Sequence, residues 1–280
     1  MALVTMRELL EDARQRRYAV GMFDASDYHL AKSIVSAAEE MNAPVMLATA
    51  EVLLAYEELE YLAESFIYLA KKSRVPVCVF FDHGISYENT IKSIKLGFNG
   101  VMYDGSLLPF EENILMTNEV KKVADVFGCS VEAEIGHVGG GENDEKKGGQ
   151  SFFTRPELAE LFVERTGVDA LAVAIGNIHG LSVKPDKLHI DLLQEIAERT
   201  CTPLVLHGGS GLPESEIKEA IAGGICKLNI WSELIEAFML GACSETARKL
   251  PYCDWVAENT KAVAGVVREK IMLCGSENKA

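Results

Sequence analysis

"VPVCVFFDHG", Val75 to Gly84, is an apolar run that ends abruptly in Asp-His-Gly. Valine, cysteine and phenylalanine follow one another without polar alternation. That is the pattern of a strand covered on both faces, as in a parallel sheet with helices outside it. An ionisable pair, Asp82 and His83, stands where this strand should end. Such a place is costly for surface decoration and natural for chemistry.

Similar runs recur along the chain: "YAVGMFD" (18–24), "APVMLAT" (43–49), "GVMYDG" (100–105), "SVEAEIG" (130–136), "DALAVAIG" (169–176), "TPLVLHG" (202–208) and "CKLNIW" (226–231). Between them lie stretches such as "YHLAKSIVSAAEEMN" and "PESEIKEAIAGG", with apolar residues at helical spacing and Gly or Asn near the end. Eight strand–helix units without a Pro/Gly/Ser-rich linker predict an α/β protein, a (β/α)8 TIM barrel forming a single domain over 1–280. A doubly wound open sheet is the alternative. One segment breaks the rhythm: "GHVGGGENDEKKGGQ" (136–150) is polar, Gly-rich and long, and reads as a mobile active-site loop or, more blandly, a disordered insertion.

Composition narrows the function. The 280 residues are 48% hydrophobic, enough for a large core, and carry 27 basic against 42 acidic side chains, a net charge of −15. Nucleic acid and anionic membrane are poor partners for that field. An anionic metabolite would need local groups to hold it. Seven cysteines, odd in number and scattered, favour reduced thiols in a cytoplasm over a disulfide framework. "MALVTMRELLEDARQRR" lacks the apolar core of a signal peptide, and no run approaches the roughly 18 apolar residues of a membrane span.

Polar residues collect at the strand ends. Asp82 and His83 close the third strand, Glu132 and Glu134 lie in the fifth, His179 follows the sixth, His207 closes the seventh, and Asn229 sits in the eighth. In a barrel these ends converge on the C-terminal face, where barrel enzymes keep their active sites. A single strand-end histidine is more often a hydrogen-bonded structural residue than a ligand. Three of the six histidines at such ends, beside carboxylates, change that balance. His29, His137 and His189 lack the placement and read as structural or solvated. Three imidazoles from separate strands suit a borderline-soft divalent ion, zinc above all, with one position open for substrate. Glu134 is a further or exchanging ligand. The strand period of two puts Glu132 and Glu134 on one face, and two carboxylates there repel unless a cation lies near.

"HGGSGLPESEI" (207–217) places Gly208, Gly209, Ser210 and Gly211 directly before a helical segment. Backbone N–H groups freed by glycine and a helix N-terminus make a phosphate cradle, and late loops are where barrels commonly bind phosphate. A Gly-rich turn also caps any helix. Gly180 after His179 and "NIWS" (229–232) enclose the same region.

Through these motifs the chain closely resembles the class II, metal-dependent ketose-bisphosphate aldolases, the fructose- and tagatose-bisphosphate aldolase family. The matching stretches are "DHG" (82–84), "SVEAEIGHVGGGEND" (130–144), "AIGNIHG" (174–180), "LVLHGGSGLP" (204–213) and "KLNIWSEL" (227–234), in one order across nearly the whole chain. The resemblance implies reversible cleavage of a ketose phosphate into dihydroxyacetone phosphate and an aldehyde. It implies that His83, His179 and His207 bind zinc, with Glu134 as alternative ligand, and that the metal polarises the ketone and stabilises the enediolate. Asp82 would exchange the proton of the hydroxyl on the carbon that becomes the aldehyde, and Glu142 would protonate the enediolate. Gly180, Gly208, Gly209, Ser210, Asn229 and Ser232 would hold the phosphate. The resemblance further implies a monovalent cation, Na+ or K+, and a homodimer or homotetramer.

The distal half of the substrate is where the chain departs from its relatives. Ala50 stands where a Ser or Thr usually meets the far phosphate, Ile235 replaces a basic residue, and "KLPYCDW" replaces an Arg-bearing segment. Trp231 takes a position usually small or acidic, and Asp24 stands where Asn is usual. The expected lysine after "HG" comes one place late, as Lys184. Charge-assisted phosphate contacts are about twice as strong as neutral ones, so for a ketose 1-phosphate or 1,6-bisphosphate their joint loss predicts an aldehyde without a phosphate, or one whose anion is held differently. A non-catalytic partner subunit and a metal-dependent sugar-phosphate epimerase are the rival functions. A scaffold has no need for five intact catalytic groups, and an epimerase needs a second acid/base across the substrate.

Overall fold

A computed structural model describes residues 2–139, 153–181, 187–245 and 247–280. Eight parallel strands close into a barrel in sequence order. They are β1 (Val20–Asp24), β2 (Val45–Ala50), β3 (Val77–Gly84), β4 (Gly100–Tyr103), β5 (Ser130–Ile135), β6 (Ala170–Val173), β7 (Leu204–Leu206) and β8 (Ile225–Ile230). Helix α1 (Met6–Arg16) precedes them. Helices α2 (Tyr28–Glu40), α3 (Leu59–Lys72), α4 (Tyr87–Leu96), α5 (Phe110–Phe127), α6 (Pro156–Thr166), α7 (Ile190–Arg199) and α8 (Glu214–Ala222) alternate with the strands, and α9 (Ser232–Cys243) and α10 (Tyr252–Cys274) follow β8. Closure excludes the open sheet: Val20 to Phe23 of β1 pair with Lys227 to Ile230 of β8.

Two cores follow from the strand period of two. Outward residues such as Phe23, Leu47, Val79, Phe81, Val131 and Leu228 pack against the helix ring. Inward residues, among them Met22, Met46, Cys78, Phe80 and Met102, meet Met6, Leu9, Leu10 and Ala13 of α1. That helix plugs the N-terminal mouth, its entry fixed by a reciprocal capping box between Thr5 and Glu8. Above this apolar floor the inward positions turn polar, so the chemistry is confined to the C-terminal face.

Strands β6 and β7 are shorter than their apolar runs. Ile175 and Leu206 stay buried, but the chain leaves the ladder early to turn at Gly176 (φ 107°) and Gly208 (φ 63°). His207 therefore stands one residue past β7 instead of closing it. All seven cysteines are free thiols, four of them buried. Among the described residues no helix is long and apolar enough to cross a membrane.

Candidate active site

Adjacent residues of a strand point to opposite faces, yet Asp82 and His83 both reach the barrel mouth. A one-residue bulge makes this possible. Opposite β4, Phe81 pairs with Val101 and Gly84 with Tyr103, so three steps along β3 match two along its neighbour. His83 absorbs the extra residue at φ 45°, a left-handed conformation that β3 could not otherwise contain. Gly84 is needed beside it, because a Cβ there would meet the Thr90 hydroxyl and, at 2.7 Å, the Met102 carbonyl. The Asp-His-Gly ending of the opening run is thus a bulge that turns two neighbouring side chains to one place.

Around His83 the expected residues assemble. Its Nε2 lies 2.9 Å from His207 Nδ1, and its ring centroid is 5.0 Å from that of His179. His179 is placed by its backbone N–H, which donates to the Gly139 carbonyl at 2.8 Å. Asn177, fully buried, donates to the His207 carbonyl at 3.0 Å and accepts from the Ile175 N–H. Asp82 is buried, 3.7 Å from His83 Nε2, and receives Asn229 Nδ2 at 3.3 and 3.4 Å. Glu134 accepts from the Val138 N–H at 3.1 Å through one oxygen, and its other oxygen has no hydrogen-bond partner among the described residues.

The field of this cluster favours a cation. Burial opposes a charged His83, but Asp82, the hydrogen-bonded Asp104 and Glu134 outweigh it and push the imidazole up to about 10. Burial, reinforced by Asp104, pushes Glu134 up to about 8. His207 is driven well down by burial and by the charge of His83. Burial and Asp82 push Asp24 well up. A divalent ion fits these residues. One ring nitrogen from each of His83, His179 and His207 lies within 4.8 Å of the others, and the Glu134 oxygen is open. Imidazoles with a carboxylate form a donor set for a borderline-soft ion.

Three residues at this site were not singled out in the sequence. Asp104 lies 3.0 Å from His83 Nδ1 and accepts from the Ser106 hydroxyl at 2.7 Å. Its signal was the acid closing "GVMYDG", the same strand-end logic that found Asp82. Lys227 is fully buried with its Nζ 2.8 Å from Glu132, and its signal was a lone charge in the apolar run "CKLNIW". Asn177 sits within "AIGNIHG". His137 is hydrogen-bonded: its Nδ1 lies 3.3 Å from the Oγ of Ser106, which also bonds Asp104. His29 and His189 are exposed and away from it.

Beside the histidines, the loops after β7 and β8 interlock. Gly209 N–H donates to the Asn229 carbonyl at 3.1 Å, so glycine is required there for space: a Cβ would meet Leu228 Cδ1 at 2.6 Å. Gly211 N–H is held by Glu233 at 2.7 Å, and Lys270 balances that carboxylate at 2.6 Å. Ser210 is buried with its hydroxyl 3.5 Å from the Glu233 N–H, Ser232 opens α9, and Gly180 has φ 90° with open space beside it. A Cβ on Gly208 would strike the Ile178 carbonyl at a positive φ. Gly208→Ala is expected to cost about 1–3 kcal/mol in urea unfolding. An unchanged midpoint and slope would show that the turn tolerates a side chain.

Of the residues assigned to the far half of the substrate, Asp24 is buried at the end of β1 with Oδ1 unpartnered among the described residues. Ala50 is buried and lies opposite Asp82 in the β2–β3 register. Trp231 precedes α9 half-buried, and Ile235 packs on the core one turn into that helix. Glu142, most of the 136–150 loop and Lys184 lie outside the described residues.

The barrel carries its imidazoles, acids and Gly-rich turn at the C-terminal mouth, where barrel enzymes keep their active sites. The family model for class II fructose-bisphosphate aldolase matches residues 4–279, and the chain belongs to that family: it is a class II aldolase, a carbon–carbon lyase. It is similar to the crystal structure of the YdjI aldolase from Escherichia coli K12, at 35% identity and a TM-score of 0.89 over 99% of each chain. It is 36% identical to a sulfofructosephosphate aldolase from Alkalicoccus urumqiensis, across 100% of this chain and 99% of that one. A 6-phospho-5-dehydro-2-deoxy-D-gluconate aldolase from Halalkalibacterium halodurans is 37% identical with the same coverage.

Proposed function

We propose that the chain is a zinc-dependent aldolase that reversibly cleaves a ketose 1-phosphate into dihydroxyacetone phosphate and an aldehyde bearing no phosphate. The observation that carries this reading is the meeting of His83, His179 and His207 within 4.8 Å, beside the buried Asp82. An ion held by the three imidazoles, with Glu134 in reach, would polarise the ketone and stabilise the electron pair left when the carbon–carbon bond breaks. Asp82, oriented by Asn229, takes the hydroxyl proton from the carbon that becomes the aldehyde. Glu142 is assigned the return of a proton to carbon, which completes the triose. Ser210, Ser232, Gly180, Gly208 and Asn229 hold the phosphate of that half, with Gly209 shaping the turn. A monovalent cation, Na+ or K+, belongs to the same reading.

The far half of the pocket supports an uncharged or differently held aldehyde. Ala50 and Ile235 offer no charge, and the carboxyl of Asp24 supplies no cation to a second phosphate. A coupled assay of triose phosphate release across ketose 1-phosphates tests the activity, and absence of release from any of them by zinc-loaded protein would refute it. For the aldehyde, kcat/KM for fructose 1-phosphate is expected to exceed that for fructose 1,6-bisphosphate by about tenfold, near 1.4 kcal/mol. A strong preference for the bisphosphate defeats that part alone.

A further inference from the structure

Beneath the histidines lies a buried chain of polar groups that the reaction itself does not use. Lys227 in β8 donates to both oxygens of Glu132 in β5, at 3.0 and 2.8 Å. Glu132 Oε1 is also 2.9 Å from His207 Nε2. His207 then faces His83 with Nδ1. All three side chains are fully buried, and the Lys227 ammonium sits 4.2 Å from the centroid of the Phe80 ring. Glu132 and Lys227 lie two residues below Glu134 and Asn229 on their strands, one layer deeper in the barrel.

A buried ion pair is weak evidence for stability, because apolar residues of similar volume often serve as well or better. Nothing in the apolar floor requires charges at this level. The pair does settle where the proton of His207 resides. A carboxylate clamped by an ammonium on both oxygens accepts and does not donate. The imidazole edge against it must carry N–H, which leaves the lone pair on Nδ1. Histidines that ligate metals commonly give their second nitrogen to a carboxylate in this way.

We propose that Glu132 and Lys227 are positioning residues that hold His207 in the tautomer presenting Nδ1 to the ion site. The inference rests on the reading of the histidines as a metal centre. Its mechanism is orientation, with no proton transferred. Glu132 acts on His207, and Lys227 acts on Glu132 by fixing both its oxygens and its charge.

Two double variants isolate the acceptor from the charge. Glu132→Leu with Lys227→Met removes both charges and the acceptor. Glu132→Gln with Lys227→Met also removes both charges but keeps a carbonyl for the His207 N–H. Zinc affinity is read by competition with a chromophoric chelator, folding by thermal unfolding, and the His207 tautomer by long-range 1H–15N correlation of the zinc-free protein. The Leu/Met variant is expected to stay folded and lose about 10–100-fold in zinc affinity. The Gln/Met variant is expected to remain within a few-fold of the parent and, like it, show the proton on Nε2. Equal zinc affinity in the two variants, or a parent His207 protonated on Nδ1, overturns the proposal. A parent protein that takes up no zinc overturns the metal reading first, and this inference with it.

Discussion

Exhaustive treatment with a zinc chelator is expected to lower triose phosphate release by roughly a thousandfold or more, and one equivalent of zinc per chain to restore it. A thousandfold is about 4 kcal/mol, the size of charge stabilisation that a bound Lewis acid supplies. The expectation comes from the charges that surround the reacting region. Asp82, Glu132, Glu134 and Asp24 are buried, with Asp104 at the rim, and the only side-chain ammonium among the described residues bonded to any of these five is Lys227, already committed to Glu132. Electron density developing on a substrate oxygen would therefore meet carboxyl groups with no lysine ammonium among the described residues left to balance it. Desolvation makes such an imbalance costly. Zinc loss should also lower the unfolding temperature, since an ion that binds the folded state alone stabilises it by mass action. Protein that keeps full activity with no divalent metal detectable by mass spectrometry would end this reading.

The barrel was legible because its strands are buried on both faces and so read as unbroken apolar runs. Closure was not legible in any single run. It is a property of β1 meeting β8, and an open sheet would have used the same segments. Boundaries were least secure where a turn begins inside an apolar stretch. "TPLVLHG" yields only Leu204–Leu206 because Gly208 takes a positive φ that ends the ladder. Nothing in hydropathy marks that point.

The meeting of His83, His179 and His207 was readable from strand ends, since the barrel topology gathers them whatever their sequence separation. The partners of these histidines were harder. Asp104 follows the same rule as Asp82 but lacks a histidine next to it, and one acid after a strand is ordinary. Lys227 and Glu132 are 95 residues apart and declare each other only through contact. The bulge at His83 was also invisible, because alternation alone would have turned either Asp82 or His83 away from the mouth. The motif matched a family before its geometry was known, and the left-handed His83 supplies the physical reason.

Asp82→Asn is expected to lower kcat for cleavage by roughly 10²–10⁴-fold while leaving zinc stoichiometry unchanged. The carboxamide preserves shape, and the fold should survive because Asn229 Nδ2 can still meet its carbonyl oxygen. Asp82 lies beside the three imidazole donors without being one of them, so those three donors remain. What disappears is the group proposed to accept a proton when the aldehyde forms. Microscopic reversibility requires the same loss in the condensation direction. A second measurement separates this role from a general collapse of the site. Exchange of the carbon-bound proton of dihydroxyacetone phosphate with solvent needs the ion and the acid/base assigned to Glu142, with no hydroxyl proton to move at the far carbon. The Asp82→Asn protein should therefore lose carbon–carbon cleavage far more than it loses exchange. If the two activities fall together, Asp82 is acting on the metal centre as a whole, and its assignment to the aldehyde hydroxyl is wrong.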